Sequence, residues 1–193
     1  MRKASYLLGI ALFVFGLLVG ALVTGAGTSV LAQDATPAPT EESVTEAEAI
    51  TMTMTVTEVA AMKAQQVLDA AEAADESLFV NLTSDDLNRA AMAITFSQKV
   101  LEMREIPVTI FLNVDGVRLV DTTIPQAVHP TGETIQEKLT AFMDAGGTVL
   151  ICPFCMQNVG GMSTDEVLEG VMSGMPDLTQ GLMFAEGAQT MSY

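Results

Sequence analysis

The chain has 193 residues, with 24 acidic against eight basic side chains and a net charge of −16. A surface this acidic repels phosphate backbones and anionic lipid, which excludes nucleic acid as an expected partner. The chemistry-bearing residues are few: two cysteines, Cys152 and Cys155, and one histidine, His129.

Residues 1–32 read as an export signal. Arg2 and Lys3 make a short positive start and Tyr6 to Val23 is an uncharged apolar run. Val30-Leu31-Ala32 then ends in the small-x-small pattern that signal peptidases cleave. The run is also about long enough to span a bilayer, which takes roughly 17–25 residues, so an uncleaved N-terminal anchor is the alternative. Both readings put the rest of the chain outside the cytoplasm, periplasmic or at the cell surface, because no further basic residue appears until Lys63. Contact with a membrane is expected through that segment alone. Two of the eight basic residues and none of the 24 acidic ones lie in it, so cleavage would leave a net charge of −18.

Residues 33–75 read as an acidic Thr/Pro/Ala-rich linker with a helix near its end. Gln33 to about Glu48, with Pro37 and Pro39, shows no apolar periodicity. Thr51 to Val56 alternates with period 2, a weak strand signal. From Val56 to about Ala74 the positions of Val59, Met62, Val67 and Ala71 predict a helix.

Residues 76–193 read as one α/β domain. Ser77–Leu82 is an apolar strand, and Asp85 and Asp86 after it are helix-cap residues. A helix follows over Leu87–Met103, then a strand over Val108–Val114 closed by Asp115-Gly116. Val117–Gly132, with Pro125 and Pro130, is expected to be an irregular connection. Glu133–Ala145 is a second helix stopped by Gly146-Gly147, and Thr148–Ile151 a strand running into Cys152. The tail predicts short helices at Asp165–Leu168 and Asp177–Phe184 and a strand at Gln189–Ser192. Alternation of this kind, with continuously apolar strands, implies a mainly parallel sheet covered on both faces.

In such sheets ligands bind beyond the carboxyl ends of the strands, where Cys152 stands. Pro153 suits the first turn of a short helix, so Cys152 is expected near a helix N-terminus, which favours a thiolate. Asn158, Gly160 and Gly161 give the backbone room beyond the pair. A disulfide between Cys152 and Cys155 would close so small a ring that it would restrain the unfolded chain little. A redox, persulfide or metal role therefore competes with the bland readings, an inert disulfide or two small core residues.

The stretches Phe79-Val80-Asn81-Leu82-Thr83-Ser84-Asp85-Asp86, Val108 to Val117 and Gly147-Thr148-Val149-Leu150-Ile151-Cys152-Pro153-Phe154-Cys155-Met156, in that order, carry a resemblance. From Ser77 to Tyr193 the chain resembles the DsrE family of sulfur-relay and predicted peroxiredoxin-like proteins. The resemblance implies a flavodoxin-like domain that assembles as a homotrimer or homohexamer with the cysteine loop near a subunit interface. It implies sulfur transfer through a persulfide, with Cys152 in the position of the reactive cysteine. Cys155 matches a second cysteine that some members carry, and its expected part is that of resolving partner. The activity implied is that of a sulfurtransferase, sulfur carrier or thiol oxidoreductase. Its partners would be a sulfur-donor or acceptor protein or a small sulfur compound. The export signal and linker depart from the cytoplasmic relay proteins.

Other readings stand beside this one. Cys-Pro-Phe-Cys resembles a glutaredoxin motif, but thioredoxin-type folds place it after the first strand of the domain, and here it follows the third. A Cu(I)-binding module is the non-enzymatic alternative, since thiolates and thioethers select that ion and Met156 and Met162 lie close by in sequence. A docking module for a partner protein and an oligomeric scaffold are others. His129 is read as a loop residue with the option of a base or ligand, and Arg89 as a surface residue with the option of an anion contact. No phosphate loop, Ser-His-Asp pattern or four-ligand zinc set is present, so neither a cofactor nor a resident metal is expected.

Overall fold

A computed structural model describes residues 55–193. The expected signal or anchor at 1–32 and the linker up to residue 54 lie outside the described residues. Among the described residues no helix is long and apolar enough to cross a membrane.

Helix α1 (Val56–Ala73) begins at a capping box in which Thr55 and Glu58 satisfy each other's backbone N–H. The period-2 stretch read before it therefore ends in a cap and a helix, because Thr55 caps and Val56 is already helical. Strand β1 (Ser77–Leu82) follows, then α2 (Leu87–Arg104), capped by the Asp86 carboxylate on the Arg89 N–H. Strand β2 (Val108–Leu112) stops two residues before the expected Val114. The stretch expected to be irregular opens instead with a 3-10 helix, Val114–Val120, whose Val117, Leu119 and Val120 are buried. Their burial outweighs the poor hydrogen-bond geometry of a 3-10 run this long.

Helix α3 (Ile135–Asp144) starts at a second capping box, Thr134 with Glu137, and so leaves Glu133 outside. Strand β3 (Thr148–Ile151) leads into the three-residue α4 (Pro153–Cys155) and a π-helical turn, Met156–Gly160. A 3-10 turn, Thr164–Glu166, precedes β4 (Met172–Ser173), which sequence periodicity is too short to reveal. Helix α5 (Pro176–Met183) and β5 (Ala188–Ser192) complete the chain.

All five strands are parallel, in the order β4-β3-β2-β1-β5. The domain is thus α/β with helices on both faces, as the resemblance implied. In the flavodoxin order the second strand crosses to the far side of β1; here the last strand does. The winding explains the layers. From β1 to β4 each connection steps the same way, and right-handed crossovers put α2, α3 and the post-cysteine segment on one face. The return from β4 to β5 reverses direction and puts α5 on the other.

Two cores follow. Val80, Leu82, Ile110, Leu112 and Ile151 face Ile94, Leu139 and Phe142 of α2 and α3. Phe79, Phe111 and Leu150 face Leu178 and Leu182 of α5, with Ala64, Val67, Leu68 and Ala71 of α1 packed onto them. Each such side chain, fully buried, contributes roughly 1.5–3 kcal/mol, which makes the larger α2/α3 core the main anchor of the sheet.

Candidate functional site

The carboxyl edge of the sheet is where the strands deliver polar and reactive side chains. Cys152 follows β3 directly, and its N–H donates to the Leu112 carbonyl at 2.9 Å, extending the β2–β3 ladder by one residue. It caps α4: the Cys155 N–H donates to its Sγ at 3.3 Å, and Pro153 occupies the first helical position. Both cysteines are half-buried free thiols. Cys152 packs into the α1/α5 core and Cys155 into the α2/α3 core, so the pair straddles the edge of the sheet. Phe154 between them is 71% exposed, and Val114 and Met175 expose apolar surface from neighbouring strand ends.

The expected helix N-terminus is in place, but it does not set the thiol's ionisation. Burial pushes the Cys152 thiol up, and the Cys155 thiol beside it adds to that. The N–H groups of Cys155 and Phe154 pull it down without overcoming burial. Cys152 at neutral pH is therefore mainly a thiol, not the ready thiolate that the helix N-terminus was expected to favour.

The surrounding segments are held by contacts that sequence reasoning did not single out. Arg118 bonds Asp115 at 2.6 Å and the Val159 carbonyl at 3.2 Å, and lies 3.5 Å from Asp85. It thereby joins the β1–α2 loop, the 3-10 helix and the turn after the cysteines. Gly116 lets that 3-10 helix sit on the end of β1, since a Cβ there would stand 2.3 Å from the Leu82 carbonyl oxygen. Val114 holds φ +48°, a conformation β-branched residues avoid, directly after Asn113.

Asn113 donates from Nδ2 to Asn81 Oδ1 at 2.8 Å, while its own Oδ1 is buried and unpartnered. The β2–β3 register, Leu112 beside Ile151, puts Asn113 beside Cys152. Phe111 and Leu150, two residues earlier on each strand, share the α1/α5 face, and so do Asn113 and Cys152. The signal in sequence was a polar residue at an inward position of an otherwise apolar strand.

The other nominated residues lie apart from the pair. Met156 and Met162 are buried in the α2/α3 core, where they pack as apolar side chains. His129 sits in a turn, its Nδ1 paired with the Thr131 hydroxyl at 3.0 Å, without a hydrogen bond to either cysteine. Asp86 is a cap, Asp85 pairs with Arg118, and Arg89 is exposed on α2. Among the described residues no group of three or more His, Cys, Asp and Glu side chains could hold a metal ion. A cavity of about 760 Å³ lies at the opposite, amino edge, lined by Lys63, Phe79, Thr109, Thr148 and Leu182 among others. Volume and chemistry disagree, and chemistry decides the site: neither cysteine borders that cavity.

The family model of the DsrE/DsrF-like family matches residues 77–186, more than half of the chain. The chain belongs to the DsrE/DsrF-like family. That family is related to sulfur relay. Among solved structures, the ychN protein of E. coli is similar at 19% identity and a TM-score of 0.49, over 61% of this chain and 100% of that one. MTH1491 of Methanobacterium thermoautotrophicum, a protein of unknown function, is similar at 14% identity and a TM-score of 0.50, over 62% and 100%. At 14% identity the likeness to MTH1491 concerns the fold alone. No protein of curated function is significantly similar in sequence.

Proposed function

We propose that this DsrE/DsrF-like protein is an extracytoplasmic sulfur-handling protein that carries sulfane sulfur, or exchanges disulfides, on Cys152. The observation that carries the reading is the paired free thiols at the carboxyl end of β3, with Cys155 donating its N–H to Cys152 Sγ. A thiol raised by burial suits a carrier: it stays quiet until a donor or acceptor docks and deprotonates it. Cys155 is the resolving partner. It lies three residues on, and its thiolate would attack the inner sulfur of a Cys152 persulfide, forming the disulfide and expelling hydrosulfide.

Exposed Phe154, Val114 and Met175 around the pair favour a protein neighbour, either a donor or acceptor protein or further copies in a homotrimer or homohexamer. A small sulfur compound is the alternative donor. The location rests on the charge and apolar pattern of residues 1–32.

The test is intact mass after treatment with a sulfane-sulfur donor. Persulfidation adds one sulfur atom, about 32 Da. Cys152→Ser is expected to abolish the gain, and Cys155→Ser to keep it and lengthen its life. A wild-type protein that gains no sulfur would sink the carrier reading.

A further inference from the structure

Two buried side-chain atoms among the described residues have no hydrogen-bond partner, Asn113 Oδ1 and Thr179 Oγ1. Native proteins pair almost all such atoms, because stripping one of water without replacement is costly. Both flank Cys152. Asn113 stands beside it on β2, on the same face of the sheet. Thr179, only 8% exposed, comes from α5, which covers that face. Its hydroxyl reaches the β3–β4 junction. A Cβ built on Gly174 would meet Thr179 Oγ1 at 3.1 Å and the carbonyl oxygen of Ile151, the residue before Cys152, at 3.0 Å. Gly174 is what lets the helix come this close, and its N–H holds that carbonyl at 2.8 Å.

Neither atom is free to turn its need elsewhere. Asn113 is fixed by its Nδ2 bond to Asn81 and by its N–H on the Leu82 carbonyl at 3.1 Å. The strained Val114 follows immediately. Thr179 lies within α5 without bonding back to the preceding turn. Neither bonds the Cys152 thiol, whose sulfur accepts from the Cys155 N–H. The thiol is thus served without them, and they wait on a group beyond it.

We propose that Asn113 and Thr179 form the hydrogen-bonding wall for a transferred sulfur, so that the site is built for the terminal sulfur of a Cys152 persulfide rather than for the thiol. The inference rests on the carrier reading and deepens it. A persulfide places a second sulfur about 2.0 Å beyond Sγ. In loading, the Cys152 thiolate attacks the outer sulfur of a donor persulfide, R–S–SH. A sulfur–sulfur bond forms to Cys152, the R–S bond to that sulfur breaks, and the thiolate R–S⁻ leaves. The proton stays on the transferred sulfur or is lost to solvent. The Thr179 hydroxyl donates to that sulfur. The Asn113 amide meets it with its oxygen when the sulfur is protonated.

The test uses the full-length protein, inorganic polysulfide as the donor, and two variants, Thr179→Val and Asn113→Leu. Three quantities are read: the half-life of the one-sulfur adduct by intact mass, the pH profile of Cys152 alkylation, and Tm without sulfur. The expected result is an adduct half-life about tenfold shorter in each variant, the loss of about one hydrogen bond. The alkylation profile stays that of the wild type. Thr179→Val melts no lower than the wild type, because it deletes a polar atom the sulfur-free fold leaves unpaired.

Unchanged half-lives in folded variants overturn the proposal and leave the carrier reading standing. So does a parallel change in the alkylation profile, or a fall in Tm for Thr179→Val, since each assigns the groups to the fold or the thiol. A wild type that never loads sulfur overturns both. Should Asn113→Leu fail to fold, Thr179→Val decides alone.

Discussion

At Gly146, on the amino edge of the sheet, the chain turns with room to spare. Gly146, at φ +99°, has nothing near the place of a Cβ, and the 760 Å³ cavity opens beside it. At the carboxyl edge the backbone is crowded and strained. Gly116 lies against the Leu82 carbonyl, Val114 is forced to φ +48°, and two polar atoms go unpaired on either side of Cys152. The amino edge is not uniformly loose, since a Cβ on Gly187 would run into the Asp75 carbonyl, but the strained Val114 and both unpaired atoms gather at the carboxyl edge. Strain and unsatisfied groups persist only where surrounding structure over-determines them, which is the better pointer to a site in this fold.

That contrast can be broken by substitution. The largest effect is expected for Gly116→Ala, about 3 kcal/mol of lost stability in urea unfolding, because the new Cβ meets backbone rather than a movable side chain. Gly146→Ala, with only its positive φ to oppose it, is expected to cost about 1 kcal/mol. Equal losses at the two glycines would mean that these two turns do not differ in tightness.

The second probe is the pH profile of Cys152 alkylation. A raised thiol pKa lowers the reactive thiolate fraction at neutral pH. Cys155→Ala removes the neighbouring thiol, which raises it, while keeping the backbone N–H, which lowers it. The profile is therefore expected to move to lower pH and the neutral-pH rate to increase. It should stay above that of a free thiol, because burial remains the first cause. A shift to higher pH would contradict this balance.

Smaller changes sharpen the picture. Val114→Gly releases backbone strain of roughly 1–3 kcal/mol against a glycine entropy cost of about 0.5–1 kcal/mol, so a net gain near 1 kcal/mol is expected. A loss would show that the Val114 side chain matters more than its φ. Arg118→Gln is expected to cost less than about 1 kcal/mol, since its ion pairs with Asp85 and Asp115 are nearly half exposed on both sides. Hydrogen exchange should nonetheless quicken in residues 156–160, which Arg118 ties down through Val159.

Much of the fold was legible in order. Continuous apolar runs announce β1, β2 and β3 because a strand covered on both faces needs them. Asp86 announces a helix start because the first N–H groups of a helix need side-chain acceptors. The 3-10 helix after β2 was not legible because its first residue, Val114, continues the apolar run of the strand, and the two-residue β4 is too short to show a period.

By itself, the sequence determined an acidic α/β domain with its two cysteines at the end of the third strand, because composition, periodicity and local caps are properties of neighbouring residues. Only the tertiary structure decided which edge of β1 receives the last strand and that α1 joins α5 over one face. It alone placed the two cysteines in opposite cores, raised the Cys152 thiol by burial, and set at its sides Asn113 and Thr179, which lie 39 and 27 residues from Cys152 in sequence. Those outcomes depend on crossover handedness and on what each side chain is packed against, and neither is written in any single stretch of the chain.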